Sequence, residues 1–384
     1  MRKVAILMGS WAHRRSTITF RALGPQYQAI VIAARRCAYL GETDLQLPTR
    51  RLTAVRDIVR HIPKLRHKFG WGSDQHLFGL EKALADVDIV LSGSPTCLFS
   101  YQAARFCERT GKPLVLQEFE NVPFLDFGRR IYKCRSHVLG AAELIAAATE
   151  RARASLVLEG VDSRKLRVVP LGIDTELFHP AAKEAGMRQQ LGFTEDQTVV
   201  LFTGQLIWEK GIFDFVHAAK LLMEDPAMET RDLRFVIMGS GPERPALLDR
   251  INYLNLSDRV RFVGAVPFDR VPTMYAAADM VVAPSIPARS WQEQWGLVLS
   301  EAMSTGVPVI STCSGSIPEV VGDCGILVQP ADPLSLVDAI KRLASSPELR
   351  SQLGESGRAR VLELYDWRVV GPLFARFFDE ALAP

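Results

Sequence analysis

Twice along this chain, short apolar runs alternate with segments long enough to be helices, and that rhythm leaves few architectures open. The first series comprises 4–8, 29–33, 88–91, 114–116, 144–147 and 166–169; the second comprises 198–203, 233–238, 260–263, 280–283, 307–311 and 325–328. Such runs are too short for buried helices. They are also apolar on both faces, as strands are when helices cover a parallel sheet from each side. Alternating strands and helices build a doubly wound α/β sheet, which binds ligands at the carboxyl ends of its strands. Two series predict two domains, and 384 residues suit two cores better than one. The Pro and Gly of Val168-Val-Pro-Leu-Gly172 close the first series. The expected domains are 1–180 and 181–365, followed by a last helix within 366–384 after the break at Tyr365-Asp-Trp367.

Composition excludes several classes. With 48% hydrophobic and 23% charged residues the chain is neither disordered nor fibrous. No apolar run approaches the ~18 residues of a membrane helix. Arg2-Lys3 and the run 4–8 are too short for a secretion signal, so a cytoplasmic location is expected. The six cysteines (Cys37, Cys97, Cys107, Cys134, Cys313, Cys324) include no C-x-x-C pair and read as reduced core residues.

The net charge of +3 conceals an imbalance: residues 1–170 carry 27 Lys and Arg against 15 Asp and Glu, the remainder 19 against 28. The first part is therefore +12 and the second −9. Much of the excess falls in 50–70, where Arg50, Arg51, Arg56, Arg60, Lys64, Arg66 and Lys68 face one acid, Asp57. Leu52, Val55, Ile58, Val59, Ile62 and Leu65 recur there at helical spacing, which predicts a basic amphipathic helix ending before Phe69-Gly-Trp71. Its cationic side is either a solvated face or a surface for anionic lipid or a phosphorylated acceptor. No nucleic-acid partner is expected.

The chemistry concentrates in 281–310, which reads as strand, loop, helix, turn, strand. Leu299 with Met303 and Val298 with Ala302 pair at i,i+4, while Pro284, Pro287 and Gly296 forbid a helix upstream. Glu293 therefore lies on the loop. Glu301 lies more than one turn inside the helix on another bearing, so the two acids can touch different parts of one ligand. Between them the backbone of Gln294, Trp295, Gly296 and Leu297 forms a helix start suited to an anion. A second cluster, Gly204-Gln-Leu-Ile-Trp-Glu-Lys-Gly211, follows a strand and opens a helix over 212–223. A glycine turn with Lys210 at a helix start suits a diphosphate. In Met238-Gly-Ser-Gly-Pro242, Gly239 and Gly241 let backbone approach a ligand, but Arg244 stands where a dinucleotide fingerprint has its third glycine. There is no Gly-x-x-x-x-Gly-Lys-Ser/Thr loop, no Gly-x-Ser-x-Gly elbow and no His-Glu-x-x-His site. Asp86-Val-Asp88 introduces a strand and reads as polarity at its edge, so no metal site is assigned.

Trp291-Gln-Glu-Gln-Trp-Gly-Leu-Val-Leu-Ser-Glu-Ala-Met303, followed by Gly306-Val-Pro-Val309 and Ser314-Gly-Ser-Ile-Pro-Glu-Val-Val321, closely resembles the retaining family 4 glycosyltransferases, the group 1 enzymes of GT-B fold. The resemblance implies two doubly wound Rossmann-like domains facing a central cleft, the first (1–180) on the acceptor side with the helix within 366–384 crossing back to it and the second (181–365) binding the nucleotide sugar. It also implies transfer of a hexose-type sugar from a UDP- or GDP-sugar to an acceptor hydroxyl without a cofactor or metal. It places Glu301 on the ribose, Glu293 and the backbone of Gln294, Trp295, Gly296 and Leu297 on the sugar, and Lys210 on the diphosphate. Gly204, Gly239, Gly241 and Val263 then line the nucleotide pocket, and Gly9 with its loop completes the site. The family usually has arginine where this chain has Gln205. Either Gln205 meets phosphate as a neutral donor or another base, such as Arg14, compensates. After the run 114–116, relatives often place a histidine near the donor or acceptor; here the candidates are Glu118, Glu120 and Asn121. Arg14, Arg15, Asn121, Arg56, Arg60 and Lys64 are the candidates on the acceptor side, for an acceptor that is anionic or lipid-linked at the inner face of a membrane. A GT-B phosphorylase, a nucleotide-sugar epimerase and a non-catalytic nucleotide-sugar-binding module are the alternatives.

Overall fold

The computed structural model describes residues 1–36, 45–59, 76–125, 128–182 and 186–383. They form two units, Met1–Gly172 with Tyr365–Pro384, and Ile173–Leu364. In the first unit the apolar runs become β1 (Arg2–Gly9), β2 (Tyr27–Ala34), β4 (Ile89–Gly93), β5 (Leu114–Glu118), β6 (Leu144–Ala147) and β7 (Leu166–Val168), with β3 (Thr49–Leu52) at the edge. All neighbours are parallel, in the order β3-β2-β1-β4-β5-β6-β7. The second unit repeats the plan with β8 (Thr198–Thr203), β9 (Leu233–Met238), β10 (Val260–Gly264), β11 (Met280–Ala283), β12 (Val309–Thr312) and β13 (Ile326–Val328), in the order β10-β9-β8-β11-β12-β13. Each sheet is doubly wound and Rossmann-like, and each reverses its winding once, between β1 and β4 and between β8 and β11. Those two reversals are where an open α/β sheet leaves a crevice for a ligand.

Alternate side chains of one strand go to opposite layers, so each strand serves two cores. Ala5 and Leu7 of β1 pack with Phe99, Ala103 and Leu116, whereas Val4 and Ile6 pack with Phe20, Leu91 and Val115. The second layer is completed by the helix Trp367–Ala381, which adds Val370, Phe374, Phe377 and Phe378. Burying a side chain of that size stabilises by about 1.5–3 kcal/mol, so this helix is a large part of the first core. Gly371 allows the approach: a Cβ there would lie 2.5 Å from that of Ala22. The far end of the helix is tied by Tyr27, whose hydroxyl donates to Asp379 at 2.7 Å.

Burial, and then the Asp379 carboxylate, push the Tyr27 hydroxyl up to about 12. A raised value means that the folded chain prefers the protonated phenol. The stability this contributes is complete below the unfolded value near 10 and is lost as pH rises through about 12. Phenolate absorbance should therefore show one of the seven tyrosines titrating late, and Tyr27→Phe should abolish that step. A late step that persists in Tyr27→Phe would assign it elsewhere.

Two expectations are corrected. The basic stretch does not begin as a helix: Arg50, Arg51 and Leu52 belong to β3, paired in parallel with Ile32, Ala33 and Ala34 of β2. A four-residue strand spans barely one helical turn, so helical spacing of its apolar residue was uninformative. Arg50 instead binds Asp86 from this edge. A helix follows at Val55–Val59; Arg56 falls within it, while Arg60, Lys64, Phe69 and Trp71 lie outside the described residues. The cysteines are also not all core: Cys97 and Cys107 are buried, Cys134 and Cys324 are half-buried, and Cys313 is exposed, while Cys37 lies outside the described residues. Among the described residues no helix is long and apolar enough to cross a membrane.

Candidate functional site

Two loops of the second unit leave the sheet side by side where its winding reverses. One follows β8 and carries Lys210 on the turn Trp208–Lys210; the other follows β11 and carries Ser285, Trp291 and Glu293. They are locked together by backbone. Ile286 N–H donates to the Glu209 carbonyl at 2.7 Å, and Gly211, at φ 69°, passes so close to Pro284 that a Cβ would stand 1.9 Å from its carbonyl oxygen. Any side chain there would force the loops apart and would be strained by the left-handed backbone as well.

Across this junction the Lys210 ammonium donates to Glu293 Oε2 at 2.6 Å. The Ser285 hydroxyl donates to the same oxygen at 2.9 Å. The ammonium also stands 4.6 Å from the centre of the Trp291 ring, within range of a cation–π attraction. The pair is partly screened, with Lys210 24% and Glu293 13% exposed, so a polar ligand can reach both. The Glu293 carbonyl accepts from Ser316 N–H at 2.9 Å, which fixes the loop behind the carboxylate.

The helix Leu297–Ser304 starts at Gly296, whose φ of 82° supplies the left-handed turn from loop to helix. Trp295 folds back into the core and donates its indole N–H to Ser300 at 3.0 Å. Glu301 is 1% exposed, and its Oε2 accepts from the buried Tyr275 hydroxyl at 3.2 Å. A carboxylate kept that deep needs hydrogen bonds to offset lost hydration, and Tyr275 provides one. Gln205 is exposed on the β8 loop.

The glycines after β9 meet a need of the fold itself. A Cβ on Gly239 would lie 1.9 Å from the Gly204 carbonyl oxygen, and one on Gly241 would lie 2.3 Å from that of Leu206. These residues are glycine because the β8 and β9 loops pack backbone to backbone, with Gly204 N–H to Met238 O at 3.1 Å and Leu206 N–H to Ser240 O at 2.9 Å. Gly239 N–H in turn reaches Gly264 O at 2.8 Å, placing Val263 beside this floor. Next to it Arg244 lies over the Phe262 ring at 5.0 Å.

In the first unit Gly9 ends β1 at φ 55°. Arg14 and Arg15 sit half-buried on the short helix Arg14–Thr17, whose start is held by His13 and Ser16. After β5, Glu118 is 3% exposed and fully engaged: Oε1 accepts from Phe119 and Glu120 N–H, each at 3.0 Å, and Oε2 from Arg135 at 2.6 Å. Arg135 also donates to Glu159 at 2.7 Å, and Glu159 accepts from Phe124 N–H at 3.0 Å. Burial weighs against the Arg135 charge, but the two carboxylates more than offset it and leave the guanidinium's pKa raised. Glu120 is half-buried and accepts from Asn121 and Val122 N–H, and Asn121 is buried beside it. Arg50 and then Lys3 hold the Asp86 carboxyl well below its usual range, and Asp88 accepts from Lys3 N–H. Among the described residues no three His, Cys, Asp or Glu cluster as a metal site.

Lys210 and Glu293, 83 positions apart, are thus brought into contact, and Glu301 stands in the helix that follows. Ser285, Trp291 and Tyr275 were not foreseen as parts of the site. Pro284-Ser285 at a strand's end is a weak signal, and Tyr275 gives none, since only packing of the helix Val271–Ala276 brings it to Glu301.

Two parallel sheets wound this way are the architecture of the GT-B fold. Residues 184–360 match the family described as glycosyl transferases group 1, and residues 20–177 match glycosyltransferase family 4. The chain belongs to the group 1 glycosyltransferases of family 4, with the GT-B fold. It is 34% identical over 253 residues to the D-inositol 3-phosphate glycosyltransferase of Streptomyces bingchenggensis, covering 64% of this chain and 54% of that protein. It is 29% identical over 244 residues to the MMP alpha-(1->4)-mannosyltransferase of Mycolicibacterium hassiacum, covering 63% and 54%. The matched region thus spans little more than half the length of these curated relatives. Anabaena HepE, crystallised with UDP and glucose, superposes with a TM-score of 0.78 over 99% of this chain and 100% of that one, at 20% identity.

Proposed function

We propose that this protein transfers a hexose-type sugar from a nucleoside-diphosphate sugar to an acceptor hydroxyl, with retention of configuration and without a metal. The observation that carries the reading is the meeting of Lys210, Ser285 and Glu293 at the winding reversal of the second sheet. A diphosphate offers the ammonium a stronger partner than one carboxylate does, and a sugar hydroxyl can donate to Glu293 in its place. Glu301, buried in the following helix, is assigned to the ribose hydroxyls. In the reaction the bond from the anomeric carbon to phosphate breaks while the acceptor oxygen bonds to that carbon from the same face. The acceptor's proton passes to the departing phosphate. Lys210 and the helix start at Gly296 stabilise the charge that develops on the diphosphate. The acceptor is assigned to the first unit. There Glu120 is the better candidate of the two acids, because Glu118 is occupied by Arg135. The UDP and glucose held by HepE support a uridine nucleotide as the first donor to test.

Conservative variants separate the two acids. Glu301→Gln keeps an oxygen for Tyr275 but loses the charge, and it should weaken free nucleoside diphosphate and nucleotide sugar alike, by about tenfold. Glu293→Gln should weaken only the sugar-bearing ligand. Calorimetry in EDTA checks both points at once, since binding should persist without divalent metal. Equal losses of free nucleotide in both variants would refute the assignment.

A further inference from the structure

Glu293 Oε2 receives two donors of different character. Lys210 reaches it through a flexible four-carbon stem, whereas Ser285 reaches it from a one-carbon stem on a segment pinned by backbone hydrogen bonds. Ser285 is 2% exposed. Its carbonyl accepts from the Thr312 hydroxyl of β12, its N–H donates to Ala283 O at 3.0 Å, and residues on either side, Pro284 and Ile286, are the two that lock against the β8 loop. One donor rides on a long flexible stem, and the other on a short stem from a pinned backbone.

This difference matters if Lys210 is to serve a diphosphate. Resting on the proposed assignment of Lys210 and Glu293, we propose that Ser285 is a positioning residue, holding the Glu293 carboxylate in place when Lys210 turns from it to the donor's diphosphate. Without that hydroxyl, Glu293 would lose the short-stemmed donor on Oε2 at the step when a sugar hydroxyl must find it. Binding of the two parts of the donor is thereby linked: diphosphate removes the lysine, and serine keeps the acid ready.

The test exploits the equal volumes of threonine and valine. Ser285→Thr keeps a hydroxyl and Ser285→Val replaces it with a methyl group, so a packing disturbance strikes both while loss of the hydrogen bond strikes one. UDP-glucose, GDP-mannose and ADP-glucose, with their free diphosphates, are titrated calorimetrically into the native protein, and the pair that binds is carried forward. The expected result is that Ser285→Val binds the free diphosphate within about twofold of native but the nucleotide sugar about tenfold more weakly, and that Ser285→Thr recovers most of the loss. Valine binding the nucleotide sugar as native does, losing both ligands equally, or matching threonine would overturn the inference while leaving the proposed function standing. Native protein that binds none of the panel overturns the proposed function and the inference with it.

Discussion

Arg135→Ala is expected to destabilise the first unit by about 3–5 kcal/mol, because it strands two carboxylates that now share one guanidinium. The side chains of Arg135, Glu118 and Glu159 are only 5%, 4% and 13% exposed, so water cannot replace the lost partner as it does at a surface bridge. The loss also spreads through the backbone. Glu118 holds the N–H groups that turn the chain out of β5, and Glu159 holds that of Phe124, which adopts φ 57° in the same loop. Urea unfolding of Arg135→Ala should show an earlier transition for the first unit. The double variant Arg135→Met with Glu118→Gln, which leaves one fewer charge unpaired, should recover part of the loss. A shift below about 1 kcal/mol would mean that these groups behave as a screened surface pair.

The second large effect concerns turnover. Lys210→Ala should lower kcat by about 10² to 10³, the range observed when one preorganised donor to a developing anion is removed. It should also weaken free nucleoside diphosphate by about tenfold or more. The fold should survive, because Lys210 is partly exposed and its neighbours are held by the Glu209–Ile286 backbone bond rather than by its side chain. Lys210→Arg should restore only part of the rate: the guanidinium keeps the charge but spreads it over a longer, planar fork, and so meets the diphosphate in a different geometry from a compact ammonium. Native kcat in Lys210→Ala would remove the lysine from the chemistry.

How much was legible in advance depended on the range of each interaction. The central strands could be read because burial on both faces makes them continuous apolar runs, and the helices at 212–223 and 297–304 because glycine and proline mark their starts. β3 could not be read, since four residues with two arginines show neither a strand's alternation nor a buried run. Lys210 and Glu293 were recognisable each in its own motif, yet no local pattern says that they touch. The glycines of Met238-Gly-Ser-Gly-Pro242 mark a demand for close approach, and the chain's own β8 loop meets it from a distance in sequence that no local pattern shows. Ser285 and Tyr275 lie beyond this kind of reading, because each acquires its role only when a distant segment arrives.

The discontinuity of the first unit sets an order of events during synthesis. Its helix Trp367–Ala381 leaves the ribosome only after the 192 residues of Ile173–Leu364, about 10–40 s behind the rest of that unit at ordinary elongation rates. Throughout that interval the nascent first sheet has Val4, Ile6, Leu91 and Val115 without the helix that covers them. The second unit, continuous in sequence, can fold to completion meanwhile. Vectorial folding therefore runs backwards here: the later-made half can finish first, while one apolar face of the earlier half stays uncovered until its helix Trp367–Ala381 emerges.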